Sequence, residues 1–332
     1  MPTAFLTGAT GFVGAHVARA LLDAGWTVRV LARDPSRAAT GLLAGLRLEV
    51  APGDLSEAGL RAARLSGVDA IVHVAGLTKA RRLADYREVN VGGTERLIAA
   101  ARGAAPEALF VLVSSQAAAG PAVGGRPVTD ADPPRPVSWY GRSKLEGEEA
   151  VASGWSGPWH VLRPGVVYGP GDRGLLQYFR MAARGWVPIP AEATRVQLIG
   201  ASRAADAIAR AAGRRDLAGR RSFLCDPDPI SVGELARAIG ALGSRARYLR
   251  VPSAAVRALG LGETLVELVT RRSRPFNADK ARELLAGDWL CEGRPLSQAL
   301  GLPDPVPLGP ALRAAWDWYA TAGWLSGPGS AL

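Results

Sequence analysis

Lysine is almost missing from this chain: of its 40 basic residues only Lys79, Lys144 and Lys280 are not arginine. Cysteine and histidine are as scarce. Cys225 and Cys291 make no disulfide framework, and His16, His73 and His160 are too scattered to complete a metal set, so reduced thiols and no structural metal are expected. No run of about 18 apolar residues occurs, which argues against a spanning helix. The stretch Pro2 to Gly8 has neither a basic segment nor a long apolar one, and a soluble, cytoplasmic protein is expected. Polar low-complexity tracts are also absent, while 48% of the residues are hydrophobic. That balance favours a compact globule over disorder, with a loose tail expected only at 326–332.

The net charge is +10, which raises nucleic acid, a membrane surface and acidic small molecules as partners. The arginines are nevertheless dispersed, apart from Arg214-Arg215, Arg220-Arg221 and Arg271-Arg272-Ser273-Arg274, and no aromatics interleave them. Solvated faces account for most of them. A nucleic-acid partner is not expected; a small-molecule substrate is, with a homodimer left as an open option.

Short apolar runs alternate with helical patterns through the first half, the mark of βαβ units and a parallel sheet. Strands are predicted at Ala4 to Leu6, Thr27 to Leu31, Leu46 to Val50, Ala70 to Val74, Leu109 to Val113 and His160 to Leu162. The fold class is therefore α/β, a doubly wound parallel sheet of the Rossmann type. Residues 1–174 would form the dinucleotide-binding domain. Residues 175–325, with longer helices and short strands near Phe223 and Leu249, read as a smaller, mainly helical substrate lobe interleaved with it. The apolar stretch Val251 to Val269 reads first as core, with a membrane surface or an apolar substrate cleft as alternatives.

The first strand runs into Thr7-Gly8-Ala9-Thr10-Gly11-Phe12-Val13-Gly14. Glycines at this spacing permit a tight turn, let a pyrophosphate approach a helix N-terminus, and pack that helix on the strand. The second strand ends in Ala32-Arg33-Asp34-Pro35-Ser36-Arg37, with Ala32 where an acid would hold the ribose 2′-hydroxyl; Arg33 and Arg37 suit a 2′-phosphate instead. NADP is the expected cofactor and NAD the alternative. Gly53-Asp54-Leu55 can set a carboxylate on the adenine amine, and Val74-Ala75-Gly76 is small enough to let the backbone approach the cofactor. Val113-Ser114-Ser115 brings hydroxyls to a strand's C-terminal end, where open α/β sheets bind ligands. In Tyr140-Gly141-Arg142-Ser143-Lys144 a phenol and one of the rare lysines share a helix face. The ammonium there can lower the phenol's pKa from about 10 and make it a proton carrier near neutrality.

The motifs TGATGFVG, GDL, HVAG, NVGGT, VSS, YGRSK and LRPGVVYGPGD, in this order over about the first 170 residues, resemble the extended short-chain dehydrogenase/reductase family, also called the NAD-dependent epimerase/dehydratase family. The resemblance implies a triad: Tyr140 exchanges the proton, Lys144 lowers its pKa and holds the nicotinamide ribose, and Ser115 rather than Ser114 hydrogen-bonds the substrate oxygen. It further implies that Asn90 shapes the site and that Pro164 and Gly165 flank the nicotinamide. Gln116-Ala117 stands where 4,6-dehydratases carry an Asp-Glu pair, which argues against dehydration. Val166 stands where nucleotide-sugar epimerases place an Asn on the diphosphate. That version is similar to the dihydroflavonol 4-reductase and 3β-hydroxysteroid dehydrogenase branches. The acidic lead-in expected before the next helix is missing from Leu198-Ile199-Gly200-Ala201-Ser202-Arg203. The implied activity is an NADP(H)-dependent interconversion of a ketone and a secondary alcohol on a hydrophobic, flavonoid- or steroid-like substrate. A nucleotide-sugar epimerase and a non-catalytic NADP-binding sensor or scaffold are the alternatives.

Overall fold

The computed structural model describes residues 1–243, 246–271 and 276–325. The tail expected at 326–332 and the arginines at 272 and 274 lie outside them. Seven parallel strands form one sheet, with β1 (Thr3–Thr7), β2 (Thr27–Ala32), β3 (Glu49–Pro52), β4 (Ala70–His73), β5 (Leu109–Val113), β6 (Trp159–Pro164) and β7 (Arg220–Leu224) in the order β7-β6-β5-β4-β1-β2-β3. Both faces are covered, which is why β4 and β5 are unbroken runs of buried side chains rather than alternating ones. One face carries α1 (Phe12–Asp23) and α4 (Ala201–Ala211). There Ala204, Ala205, Ala207 and Ile208 join Val17, Leu21 and Val30 in one apolar cluster. The other face carries α2 (Gly93–Ala104) and α3 (Trp139–Gly154), with Leu97, Ile98 and Val151 packed on Phe5, Ile71 and Phe110.

Two sequence expectations shift. The third strand begins at Glu49 rather than Leu46, because Gly41–Leu43 forms a 3₁₀ turn ahead of it. The strand read near Phe223 is not a local element of the second half; it pairs with β6, from His160 opposite Arg220 to Pro164 opposite Leu224, and extends the main sheet to a seventh strand. The remaining C-terminal residues build a separate cluster, in which the helix Leu308–Thr321 sets Leu312 and Tyr319 against Phe179, Val187 and Ile239. The apolar stretch forms α5 (Ser253–Thr270), and most of its side chains are exposed. The core reading of that stretch is therefore wrong.

Candidate active site

The turn after β1 is closed by its glycines. Gly8 has φ of +77°, and a Cβ there would sit 2.6 Å from the Ala75 nitrogen, so no other residue fits without displacing the segment after β4. A Cβ on Gly14 would run into the Gly8 carbonyl, so α1 lies directly on the turn. Gly11 is the N-cap of α1, with no side-chain cap and no acidic residue in the first turn. The N–H groups of that turn, with the exposed Thr10 and Gly11 ahead of Phe12 and Val13, form a cradle open to an anion. Thr7 differs: its hydroxyl is buried, accepts from the Ala75 nitrogen at 3.2 Å and donates to His73 Nδ1 at 2.6 Å, so it braces the cradle.

His73 carries that bracing further. Its Nε2 meets the Thr94 hydroxyl at 3.0 Å, and that hydroxyl donates to the Asn90 carbonyl at 2.8 Å. Only the tautomer with hydrogen on Nε2 satisfies every member of this run. Burial, with help from the Lys144 charge, pushes the imidazole down to about 3, so it stays neutral. Asn90 itself lies in a π-helical turn, Glu88–Gly92, a local widening common at functional sites. Its side chain accepts from the Leu77 nitrogen at 2.6 Å and donates to the Ser143 hydroxyl at 2.9 Å, tying the loop after β4 to α3.

At the adenosine end, Ala32 is buried at the close of β2, while Arg33 and Arg37 are exposed. Asp34 is taken up locally, accepting from the Ser36 nitrogen at 3.0 Å. Asp54 likewise accepts from the Ser56 nitrogen at 3.0 Å, and these Ser56 contacts, then the nearby Arg33 and Arg96 charges, hold its carboxyl below the usual range. Leu55 packs under α2, where a Cβ on Gly93 would touch it at 3.0 Å, and its carbonyl accepts from Arg96 at 2.7 Å.

The triad residues come together. Ser115 is the N-cap of the short helix Gln116–Ala119, its hydroxyl accepting from the Ala117 nitrogen at 3.1 Å, and it lies near enough to the Tyr140 phenol to oppose the rise in its pKa. Tyr140 lies in the first turn of α3, where Gly141 lets the helix backbone lie against the Ala117 carbonyl and any Cβ would collide. Lys144, one turn on, donates to the Val113 carbonyl at 2.8 Å and lies 3.6 Å from where a Gly76 Cβ would stand. Val74 and Ala75 lead from β4 into Gly76 along that wall, and Pro164, the last residue of β6, leads into Gly165 and Val166. A Cβ on Gly165 would be 2.6 Å from the Gln197 carbonyl, and Val166 is exposed. Ser114 points elsewhere, donating to the wholly buried Glu148.

Burial raises the Tyr140 phenol well above its ordinary pKa, with Ser115 opposing. Lys144 is lowered to about 8 by burial, with Glu148 opposing. The phenol is therefore fully protonated at neutral pH, and the ammonium faces the Val113 carbonyl. Motif reading also missed Glu148, which accepts from Arg163 at 3.0 and 2.7 Å beneath the triad. Its position one helical turn past Lys144 was the available clue. Tyr86, whose ring lies 6.1 Å from that of Tyr140, carried no such signal. Gln116 is buried with an amide nitrogen that has no hydrogen-bond partner.

Comparison with known proteins adds to this geometry. Residues 4–213 match the model of the NAD dependent epimerase/dehydratase family. The chain is 34% identical over 328 residues to a ceramide reductase of Caulobacter vibrioides, covering 96% of this chain and 95% of that protein. It is 30% identical over 276 residues to a 3 beta-hydroxysteroid dehydrogenase/Delta 5-->4-isomerase of Mycobacterium tuberculosis, covering 76% and 72%. The solved dTDP-glucose 4,6-dehydratase DesIV of Streptomyces venezuelae, with NAD and TYD bound, superposes with a TM-score of 0.75 at 23% identity over 98% of this chain and 99% of that one. At that identity it bears on the fold alone.

Proposed function

The chain belongs to the NAD dependent epimerase/dehydratase family and is an NAD(P)-dependent oxidoreductase, and from that premise we propose that it reduces a ketone on a large apolar molecule, using NADPH, to a secondary alcohol. The observation that carries the reading is the placement of Tyr140 and Lys144 one turn apart on α3, with the Lys144 ammonium on the Val113 carbonyl at 2.8 Å, beside a buried, uncharged Gln116. A phenol protonated at neutral pH can give its proton to a carbonyl oxygen, as ketone reduction requires. The buried amide of Gln116 offers no carboxylate to abstract a proton for dehydration.

The turn at Gly8, Gly11 and Gly14 suits a pyrophosphate because its glycines let the backbone close against Ala75 and α1, which leaves the N–H groups of the helix's uncapped first turn open to an anion. Arg33 and Arg37 make no guanidinium hydrogen bond or ion pair among the described residues, which leaves them available to a 2′-phosphate. The nicotinamide, when bound, supplies the hydride to the carbonyl carbon. Tyr140 gives its proton to the carbonyl oxygen and Ser115 donates a hydrogen bond to that oxygen. Lys144 steadies the phenolate left behind and offers its remaining N–H groups to the ribose. The curated relatives named for ceramide and steroid chemistry support an apolar substrate, as does the exposed Val166 in place of a diphosphate ligand.

The test is a panel of ceramide-type, steroid and aryl ketones assayed by NADPH absorbance. Tyr140→Phe should bind NADPH with wild-type affinity while kcat falls about 10²–10⁴-fold, the cost of a lost general acid. A variant keeping half of the wild-type turnover would refute the assignment.

A further inference from the structure

Helix α5 is inverted. Two polar side chains of its C-terminal half face the protein: Glu267 is buried and accepts from Asn277 at 3.3 Å, and the Thr264 hydroxyl accepts from the Ala278 nitrogen at 2.9 Å. Gly260 sits on the same inward face, close enough that a Cβ would meet the Ala281 side chain at 2.7 Å. Its leucines face out: Leu261, Leu265 and Leu268 are 60%, 63% and 64% exposed, and Val269 is 84% exposed. With Ala254 and Ala258 these residues form one continuous face at i, i+3, i+4 and i+7 spacing, about 22 Å long at 1.5 Å per residue. A solvated helix would carry its charges there, and a contiguous exposed apolar face marks a contact surface.

Charge decides what covers it. Arg250 and Arg257 are exposed at one end, the latter beside Glu192, and Arg271 is exposed at the other, with Arg272 and Arg274 next in sequence. Two copies of this face would oppose like charges. The terminal Ser-Gly-Pro-Gly-Ser-Ala-Leu offers too little apolar surface to cover it. An anionic bilayer meets both features, taking leucines into the acyl boundary and arginines to the headgroups. No helix among the described residues is long and apolar enough to cross a membrane, so the helix would lie in the interface.

The position of α5 bears on the active site. Arg81, in the loop that follows the Val74-Ala75-Gly76 wall, donates to the Arg271 carbonyl at 3.1 Å. The helix Ala278–Leu284, which α5 packs against, sends Asp279 to the Trp139 nitrogen at 3.0 Å and Glu283 to the Ser138 hydroxyl at 2.8 Å. Both contacts are at the start of α3, next to Tyr140. We propose that α5 docks the protein on anionic lipid surfaces and holds the mouth of the active site against the bilayer. Docking does not depend on which ketone is reduced, although an apolar substrate gives it a purpose.

Flotation of the purified full chain with vesicles of roughly three parts phosphatidylcholine to one of phosphatidylglycerol tests this. The wild type should float with these vesicles and bind pure phosphatidylcholine less. Leu265→Glu/Leu268→Glu should lower the bound fraction at least about tenfold, with an unchanged melting temperature and unchanged NADPH-dependent turnover of a water-soluble aryl ketone. Leu268→Ser/Val269→Ser is the milder second variant. A wild type that stays unbound, or variants that float equally well, would overturn the proposal. So would a wild-type dimer that these substitutions split, which would make the face an interface between copies. Failure of every ketone in the panel would sink the reductase reading and leave the vesicle result standing.

Discussion

The Lys144 ammonium is buried with the Val113 carbonyl as its acceptor, and Glu148 offsets only part of that burial, so its pKa falls from 10.5 to about 8. Below pH 8 the folded and unfolded chains both carry this proton, and the folded one bears the full desolvation cost. Between about 8 and 10.5 only the unfolded chain holds it, and stability from this group rises with pH. Lys144→Met should therefore raise stability at pH 7, by on the order of 3 kcal/mol at 1.36 kcal/mol per pKa unit, and lose most activity. Urea unfolding at pH 7 and pH 9.5 checks this: the gain should shrink at the higher pH, and a variant no more stable at pH 7 would refute it. Arg33 is a second case, since its guanidinium is exposed and its charge reaches Asp54. A charge-assisted hydrogen bond contributes roughly 1.5–3 kcal/mol, so Arg33→Ala should weaken NADPH about 10- to 100-fold and leave NADH little changed. Equal losses in fluorescence titrations of the two cofactors would remove the 2′-phosphate assignment.

At the scale of elements, the placement of α3 matters most. Its N-terminus is let in by Gly141 against the Ala117 carbonyl, its middle by Gly147, where a Cβ would be 2.8 Å from the Asn90 carbonyl. Below the triad Glu148 binds Arg163 on β6 and Ser114 after β5, with both charged side chains almost wholly buried. A buried pair of this kind is not itself strong evidence of stability, but breaking it leaves an uncompensated charge. Glu148→Ala should cost about 3–5 kcal/mol, and Glu148→Leu/Arg163→Leu should recover most of the loss. Chemical denaturation of the single and double variants decides it, and a double variant as unstable as the single one would argue against charge as the cause.

For the whole molecule, the expected ligand order follows from charge. A nucleotide-sugar diphosphate needs fixed donors as it leaves water, because an unpaired buried charge is costly. Val166 offers no side-chain donor there, and Arg203, near the missing acidic lead-in, is already paired with Asp226 at 3.0 Å. A ceramide-type or polycyclic ketone should raise the melting temperature of the NADP-loaded protein, as ligand linkage requires, and UDP-glucose should not. A UDP-glucose shift equal to that of the best ketone would favour an epimerase.

By itself the sequence determined six strands of the sheet, the glycine turn and the shared helix face of Tyr140 and Lys144, because each rests on short-range rules. Continuous apolar runs fit a sheet covered on both faces. The glycines at 11 and 14 answer close contacts with the Gly8 carbonyl within one turn, and Tyr140 and Lys144 share a face through the helical repeat. Tertiary structure alone decided the rest. The seventh strand at Arg220–Leu224 depends on pairing with β6, far away in sequence. The raised pKa of Tyr140 depends on how deeply α3 is buried. The direction in which α5 faces could not be read from its composition, because leucines turned toward solvent and leucines turned toward a core have the same spacing. The inward contacts of Gly260, Thr264 and Glu267 distinguish the two.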